Sequence, residues 1–93
     1  MRVTIVVDDN LVLVQGQPET VDCSGLLSQN VHAVQWYDTW GEVEYATDLQ
    51  TGIRRANARI TDFSRFQTYL DTWESAAQRP AAKAASTSTA NIG

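Results

Sequence analysis

VHAVQWYDTWGEVEYA, from Val31 to Ala46, alternates apolar and polar residues on both sides of a central Asp-Thr-Trp-Gly. That two-residue period interrupted by a turn predicts a β-hairpin, and the stretch holds two of the three tryptophans and two of the three tyrosines of the chain. Pairing Tyr37 with Glu42 across a four-residue loop sorts the side chains into two sets. Val34, Trp36, Val43 and Tyr45 form an expected core face, and Ala33, Gln35, Tyr37, Glu42 and Glu44 point the other way. Trp40 then sits at the hairpin tip beside Gly41. Two readings stand open for it: a contact for a binding partner, as exposed aromatics often are, or a side chain folded back onto the sheet.

A large apolar face needs a cover, and the sequence supplies one downstream. In ITDFSRFQTYLDTWESA, from Ile60, the residues Phe66, Tyr69, Leu70, Trp73 and Ala77 recur at helical spacing. Asp62 or Ser64 is an expected N-cap, and Ser64 with Gln67 has the spacing of a capping box. Pro80 makes continuation past about Arg79 unfavourable. The stripe is expected to lie over the Trp36 face.

Upstream, Arg2 to Asp8 is rich in β-branched residues, and Asp9-Asn10 is a turn whose members tolerate positive φ. Placing Asp8 opposite Leu11 gives one face of Val3, Ile5, Val7, Val12 and Val14. Val6, Leu11 and Leu13 fall on the other, and a partner is the expected cover for them. Gln15-Gly16-Gln17-Pro18 reads as a turn, Glu19 to Cys23 as a short third strand, and Ser24 to Asn30 as an irregular or single-turn connection. Thr47 to Asn57 reads as a loop, after which Ala58 to Ile60 can add an edge strand. Arg54 and Arg55 in that loop are either solvated or suited to an acidic surface on a partner.

The fold class expected is therefore α+β: a small antiparallel sheet of two hairpins, four or five strands in all, packed by one C-terminal amphipathic helix. Residues 1–79 form the domain and 80–93 an extended tail. The tail, PAAKAASTSTANIG, has too little bulky apolar surface to fold alone, so Lys83 and Ile92 are expected to contact a neighbour.

Ninety-three residues bound one small core, for which the large side chains are needed first. The net charge of −4 is uneven: residues 1–46 carry −6 and residues 47–93 carry +2. Such a dipole suits head-to-tail contacts and is too weakly basic for a nucleic-acid surface. A single cysteine, Cys23, excludes an internal disulfide and, with a single histidine, a structural zinc site; it reads as a buried apolar residue. The N-terminus lacks a signal peptide's apolar run, so a cytoplasmic site of synthesis is expected.

Candidate chemistry is sparse. His32 has a suitable intrinsic pKa for acid–base work, but no second catalytic element stands at a local spacing, and it is expected to end the core face of its strand. Glu42 and Glu44 share a strand face, a pattern usual for solvated carboxylates. No phosphate-binding, dinucleotide, calcium or zinc spacing occurs. The expectation is a non-enzymatic protein without cofactor, metal, small-molecule substrate, nucleic acid or membrane.

The hairpin followed by the helix, HAVQW…GEVEY then ITDF…W, resembles a group of small virion-associated proteins of tailed bacteriophages. The resemblance covers about Val31 to Ala77, with an N-terminal hairpin of similar character. The loop Asp48 to Asn57 is longer and more basic than that pattern, and the tail is not part of it. The resemblance implies a virion structural or accessory protein, located in the particle and, before assembly, in the host cytoplasm. It implies docking in many copies on a capsid or tail protein. A fibre-assembly chaperone, or a host-directed regulator binding through the acidic hairpin face, is the alternative.

Overall fold

The computed structural model describes residues 1–79. It is α+β: strands β1 (Arg2–Val6), β2 (Leu11–Val14), β3 (Gln17–Thr20), β4 (Val31–Tyr37), β5 (Gly41–Tyr45) and β6 (Ala58–Ile60) form one antiparallel sheet. Helix α1 (Ser24–Leu27) is a single turn, and α2 (Gln67–Gln78) follows a 3-10 turn over Ser64–Phe66. Both expected hairpins are present; the third strand runs over Gln17–Thr20 and not Glu19–Cys23, so that Gln17 and Pro18 belong to strand and not to the turn, and with the edge strand at the expected Ala58–Ile60 the sheet has six strands. The tail, with Lys83 and Ile92, lies outside the described residues.

The order β3-β2-β1-β4-β5-β6 is two three-stranded meanders joined where β1 pairs with β4. Within each meander, neighbours in sequence are neighbours in space, whereas the β1–β4 pairing closes a long stretch of chain. Pro18 lies on edge strand β3, the position in a sheet where a missing N–H is best tolerated.

Both hairpins are tighter or looser than expected by an even step. In the first, Ile5 pairs with Val12 and Val6 with Leu11, because Val7–Asp9 forms a 3-10 turn in place of further strand. In the second, Val34 pairs with Val43 and Trp36 with Gly41. The Tyr37 N–H donates to the Trp40 carbonyl at 2.7 Å, leaving only Asp38 and Thr39 in the loop. Each register differs from the expected one by two residues, which preserves the faces. Val3, Ile5, Val12, Val34 and Val43 are fully buried, with Trp36 and Tyr45 at 8% and 7% exposure.

The cover departs from expectation in place. Helix α2 lies against β2 and β3, and the Trp73 indole N–H donates to the Gln17 carbonyl at 2.8 Å, tying the helix to the sheet edge. Trp36 is instead covered by Phe63, whose ring centroid is 5.3 Å away, and Phe63 in turn meets the buried Phe66. No capping box forms. The Asp62 carboxylate accepts the Ser64 N–H at 2.9 Å, while the Gln67 amide bonds Asp71. An identical Asp-x-Ser arrangement opens α1, where Asp22 accepts from the Ser24 N–H at 2.9 Å. In both cases bonds from the serine to the ionised carboxylate hold its pKa below the usual range.

Asn10 joins the first hairpin to the connection beneath it. Its backbone is left-handed, at φ 50° and ψ 51°, a region that asparagine tolerates better than most residues. Its carbonyl accepts the Val21 N–H at 2.9 Å and its side-chain oxygen the Cys23 N–H at 2.8 Å. Asn10→Ala strands the Cys23 N–H beside a buried thiol, so a loss of about 1–3 kcal/mol is expected in urea denaturation. Asn10→Gly should fall below wild type but above alanine, since it retains the backbone and loses the side-chain bond. Equal midpoints for the two variants would reject a role for the left-handed backbone.

Candidate functional site on the open sheet face

The strand period that buries one face of the sheet leaves the other with its own inventory of side chains. Cross-strand registers set them in rows. Thr20, Leu11, Val6, Ala33 and Glu44 form one row, and Pro18, Leu13, Thr4, Gln35, Glu42 and Arg59 the next. Arg2 and Tyr37 continue the face toward the β4–β5 loop, where Trp40 joins them. The clustered core draws on the opposite face, and Val6, Leu11 and Leu13 are only half-buried. The three candidate contact residues of the first hairpin thus form one contiguous apolar strip beside Ala33.

The other half of the face is polar and aromatic. The Thr4 hydroxyl donates to the Gln35 side-chain oxygen at 3.0 Å, which fixes the centre. Tyr37 and Trp40 stack with centroids 4.7 Å apart, the Arg2 guanidinium lies 5.1 Å from the Tyr37 ring centre, and that of Arg59 lies 4.4 Å from Trp40. Trp40 is therefore half-buried between Tyr37 and Arg59, folded onto the β4–β6 side of the sheet. Exposed cation–π contacts of this kind contribute about 0.5–1 kcal/mol each, enough to set side-chain positions.

His32 departs from its expected place. The pairings Val31 with Tyr45 and Ala33 with Glu44 leave His32 as the extra residue of a β-bulge, which turns it out of the core. It is exposed, and its Nδ1 lies 3.1 Å from an Asp8 carboxylate oxygen. With Glu44, Tyr45, Ala46, Thr47 and Arg54 it lines an open cleft of about 410 Å³. An imidazole oriented by a carboxylate is two parts of a general-base arrangement, but among the described residues no nucleophile is hydrogen-bonded to it. Cys23 is fully buried, with its thiol bonded to the Val21 carbonyl at 3.2 Å. Burial, then the neighbouring Asp22, push that thiol's pKa up, which opposes thiolate chemistry. No group of three or more His, Cys, Asp or Glu that could hold a metal ion occurs among the described residues. No described helix is long and apolar enough to cross a membrane.

Arg54 and Arg55 stand away from the apolar strip, at the far side of this cleft. Thr47 and Arg54 form an antiparallel bridge, closing a tongue from Thr47 to Arg54 that the sequence shows only as loop. Asp48 organises it: its N–H donates to the Ile53 carbonyl at 2.9 Å, its carbonyl accepts from Gly52 at 2.7 Å, and its carboxylate accepts from Gln50 at 2.8 Å. Gly52 adopts φ 74°, a turn conformation that glycine enters without steric cost. The Arg54 guanidinium donates to the Tyr45 carbonyl and the Asn57 side chain, and Arg55 lies 4.5 Å from the Tyr45 ring centre. Leu49 and Ile53, at 97% and 69% exposure, project from this tongue. Sequence reasoning missed both, although two large apolar residues in a polar loop were a visible signal.

The arrangement defines a two-layer α+β domain with one covered and one open sheet face. Comparison with known proteins assigns it no family: no family model matches, and no solved structure matches. Over 61 residues the chain is 34% identical to nicotinic receptor-associated protein 1 of Caenorhabditis briggsae, a stretch that is 66% of this chain and 10% of that protein. The chain thus spans about a tenth of that relative's length.

Proposed function

We propose that the chain is a non-enzymatic structural or accessory protein of a bacteriophage particle, as capsid decoration or in the tail or fibre. It docks on neighbouring subunits through the open sheet face. The observation that carries this reading is the strip Val6–Leu11–Leu13, apolar side chains left half-buried on a sheet whose opposite face is fully packed. The resemblance of the Val31–Ala77 stretch to virion-associated proteins supplies the setting. Arg54 and Arg55 add a cationic contact, and Lys83 and Ile92, outside the described residues, are further contact candidates, so that repeated copies bind with avidity.

Mass spectrometry of purified particles from the phage that carries this gene is the direct test. The chain is expected there at a stoichiometry set by particle symmetry. Val6→Thr/Leu13→Thr keeps strand propensity and should reduce incorporation by roughly tenfold or more, since each aliphatic side chain buried in the contact contributes about 1.5–3 kcal/mol. Absence of the wild-type chain from particles would sink the structural role. It would favour the alternative, a fibre-assembly chaperone or host-directed regulator, for which Glu42 and Glu44 on the open face offer an acidic contact.

A further inference from the structure

We propose that the open face is occupied by the Thr47–Arg54 tongue of a second copy of this chain. The inference rests on the open face being a docking surface and names what docks there. The tongue is built, not slack: a β-bridge and the Asp48 hydrogen bonds hold it while Leu49 stays 97% exposed and Ile53 69% exposed. An ordered segment that holds two large aliphatic side chains in solvent incurs a hydration cost that only a partner removes. On the same molecule the strip Val6–Leu11–Leu13 offers apolar surface without a cover.

Charge matches the two surfaces. Among the described residues the ion pairs are the N-terminus with Asp38 and His32 with Asp8, and neither Arg54 nor Arg55 pairs with a carboxylate of those residues. On the open face, Glu42 stands opposite Arg59, whereas Glu44 ends the Leu11–Val6–Ala33 row with no cation in that row, and Asp9 lies in the turn that ends the strip. Docking the tongue brings Arg54, and Arg55 just beyond it, toward Glu44 and Asp9 and its aliphatic pair toward the strip. The near-complete exposure of Leu49 shows that this side chain does not lie on its own sheet. A tongue this small buries well under the ~1,200 Å² of a stable interface, so contact strength is expected in the tens-of-micromolar range and repeated copies make it useful.

Sedimentation velocity on the full chain, from about 10 to 500 µM, tests this. Wild type should self-associate, less so as salt rises from about 50 to 500 mM, because exposed charge pairs are screened. Leu49→Asp/Ile53→Asp removes the tongue contact, and Val6→Thr/Leu13→Thr removes the face; each alone should be monomeric with an unchanged circular dichroism spectrum. Mixed equally, they should form a complex limited to 1:1, since each variant retains one competent surface. If the threonine variant does not fold, Glu44→Lys serves as the face variant. Wild type that stays monomeric at 500 µM, variants that associate as wild type does, or a mixture that stays monomeric would each overturn the contact. A monomeric wild type whose face variant is nonetheless lost from particles overturns only the tongue contact, whereas unchanged incorporation of that variant overturns the docking reading itself.

Discussion

Gly41→Ala is expected to lower the melting temperature by about 10 °C or more, from a change of one methyl group. Gly41 opens β5 directly opposite Trp36 and is buried. Its φ is not positive, so the requirement is for space and not for conformational freedom. A Cβ placed there lies 2.3 Å from the Gln35 carbonyl oxygen, 2.9 Å from Trp36 Cε3 and 3.1 Å from Trp36 Cα. The aromatic ring can swing away; the two backbone atoms cannot move without separating β4 from β5. Overpacking of this kind costs about 1–3 kcal/mol and more where backbone must shift. For a domain of this size each kcal/mol is worth about 4–8 °C. Trp36→Leu in the same chain should not rescue it, because the carbonyl contact remains. A melting temperature within about 3 °C of wild type would show that β4 and β5 part more easily than this geometry allows.

The alternation in Val31–Ala46 made the faces of that hairpin legible but not its loop. A two-residue period fixes only parity, so an expected pairing of Tyr37 with Glu42 and an observed pairing of Gln35 with Glu42 bury the same side chains. The same holds for the first hairpin, where the 3-10 turn at Val7–Asp9 consumes residues that sequence alone assigns to strand. His32 marks where parity fails, because a bulge is an odd step and nothing in V-H-A-V announces it. The β1–β4 pairing that makes one sheet from two meanders was not legible either, since no local signal couples strands so far apart in sequence.

The open face was readable in part. Val6, Leu11 and Leu13 stood out because an apolar hairpin with large residues on both faces has one face too many for a single helix to cover. Trp40 was readable only as a choice, and the tighter turn decided it by setting Trp40 beside Tyr37 and under Arg59. The tongue escaped because its order comes from Asp48 bonding its own neighbours, a pattern that in sequence is indistinguishable from an ordinary polar loop.

Phe66→Ala should have an effect as large, through the covered face. Phe66 is fully buried at the end of the 3-10 turn, and the run Trp36, Phe63, Phe66 carries contact from β4 to the start of α2, with ring centroids 5.3 and 6.1 Å apart. Truncating a buried phenylalanine costs about 3–5 kcal/mol, which approaches the ~5 kcal/mol lower bound for a whole domain. Helix α2 would then be held mainly by Leu70, Ala76 and the Trp73 bond to edge strand β3, too far from β4 to keep Trp36 dry. The expected result is a large fall in the urea midpoint with uptake of a hydrophobic dye. Leu13→Thr, on the opposite face of the same sheet, should shift the midpoint by no more than about 1 kcal/mol, since a half-buried side chain loses little on truncation. The pair separates the faces by their energetics: one is needed to fold the chain, and the other is not. Comparable shifts for both variants would show that the open face is also needed for folding, and would remove the basis for assigning it to a partner.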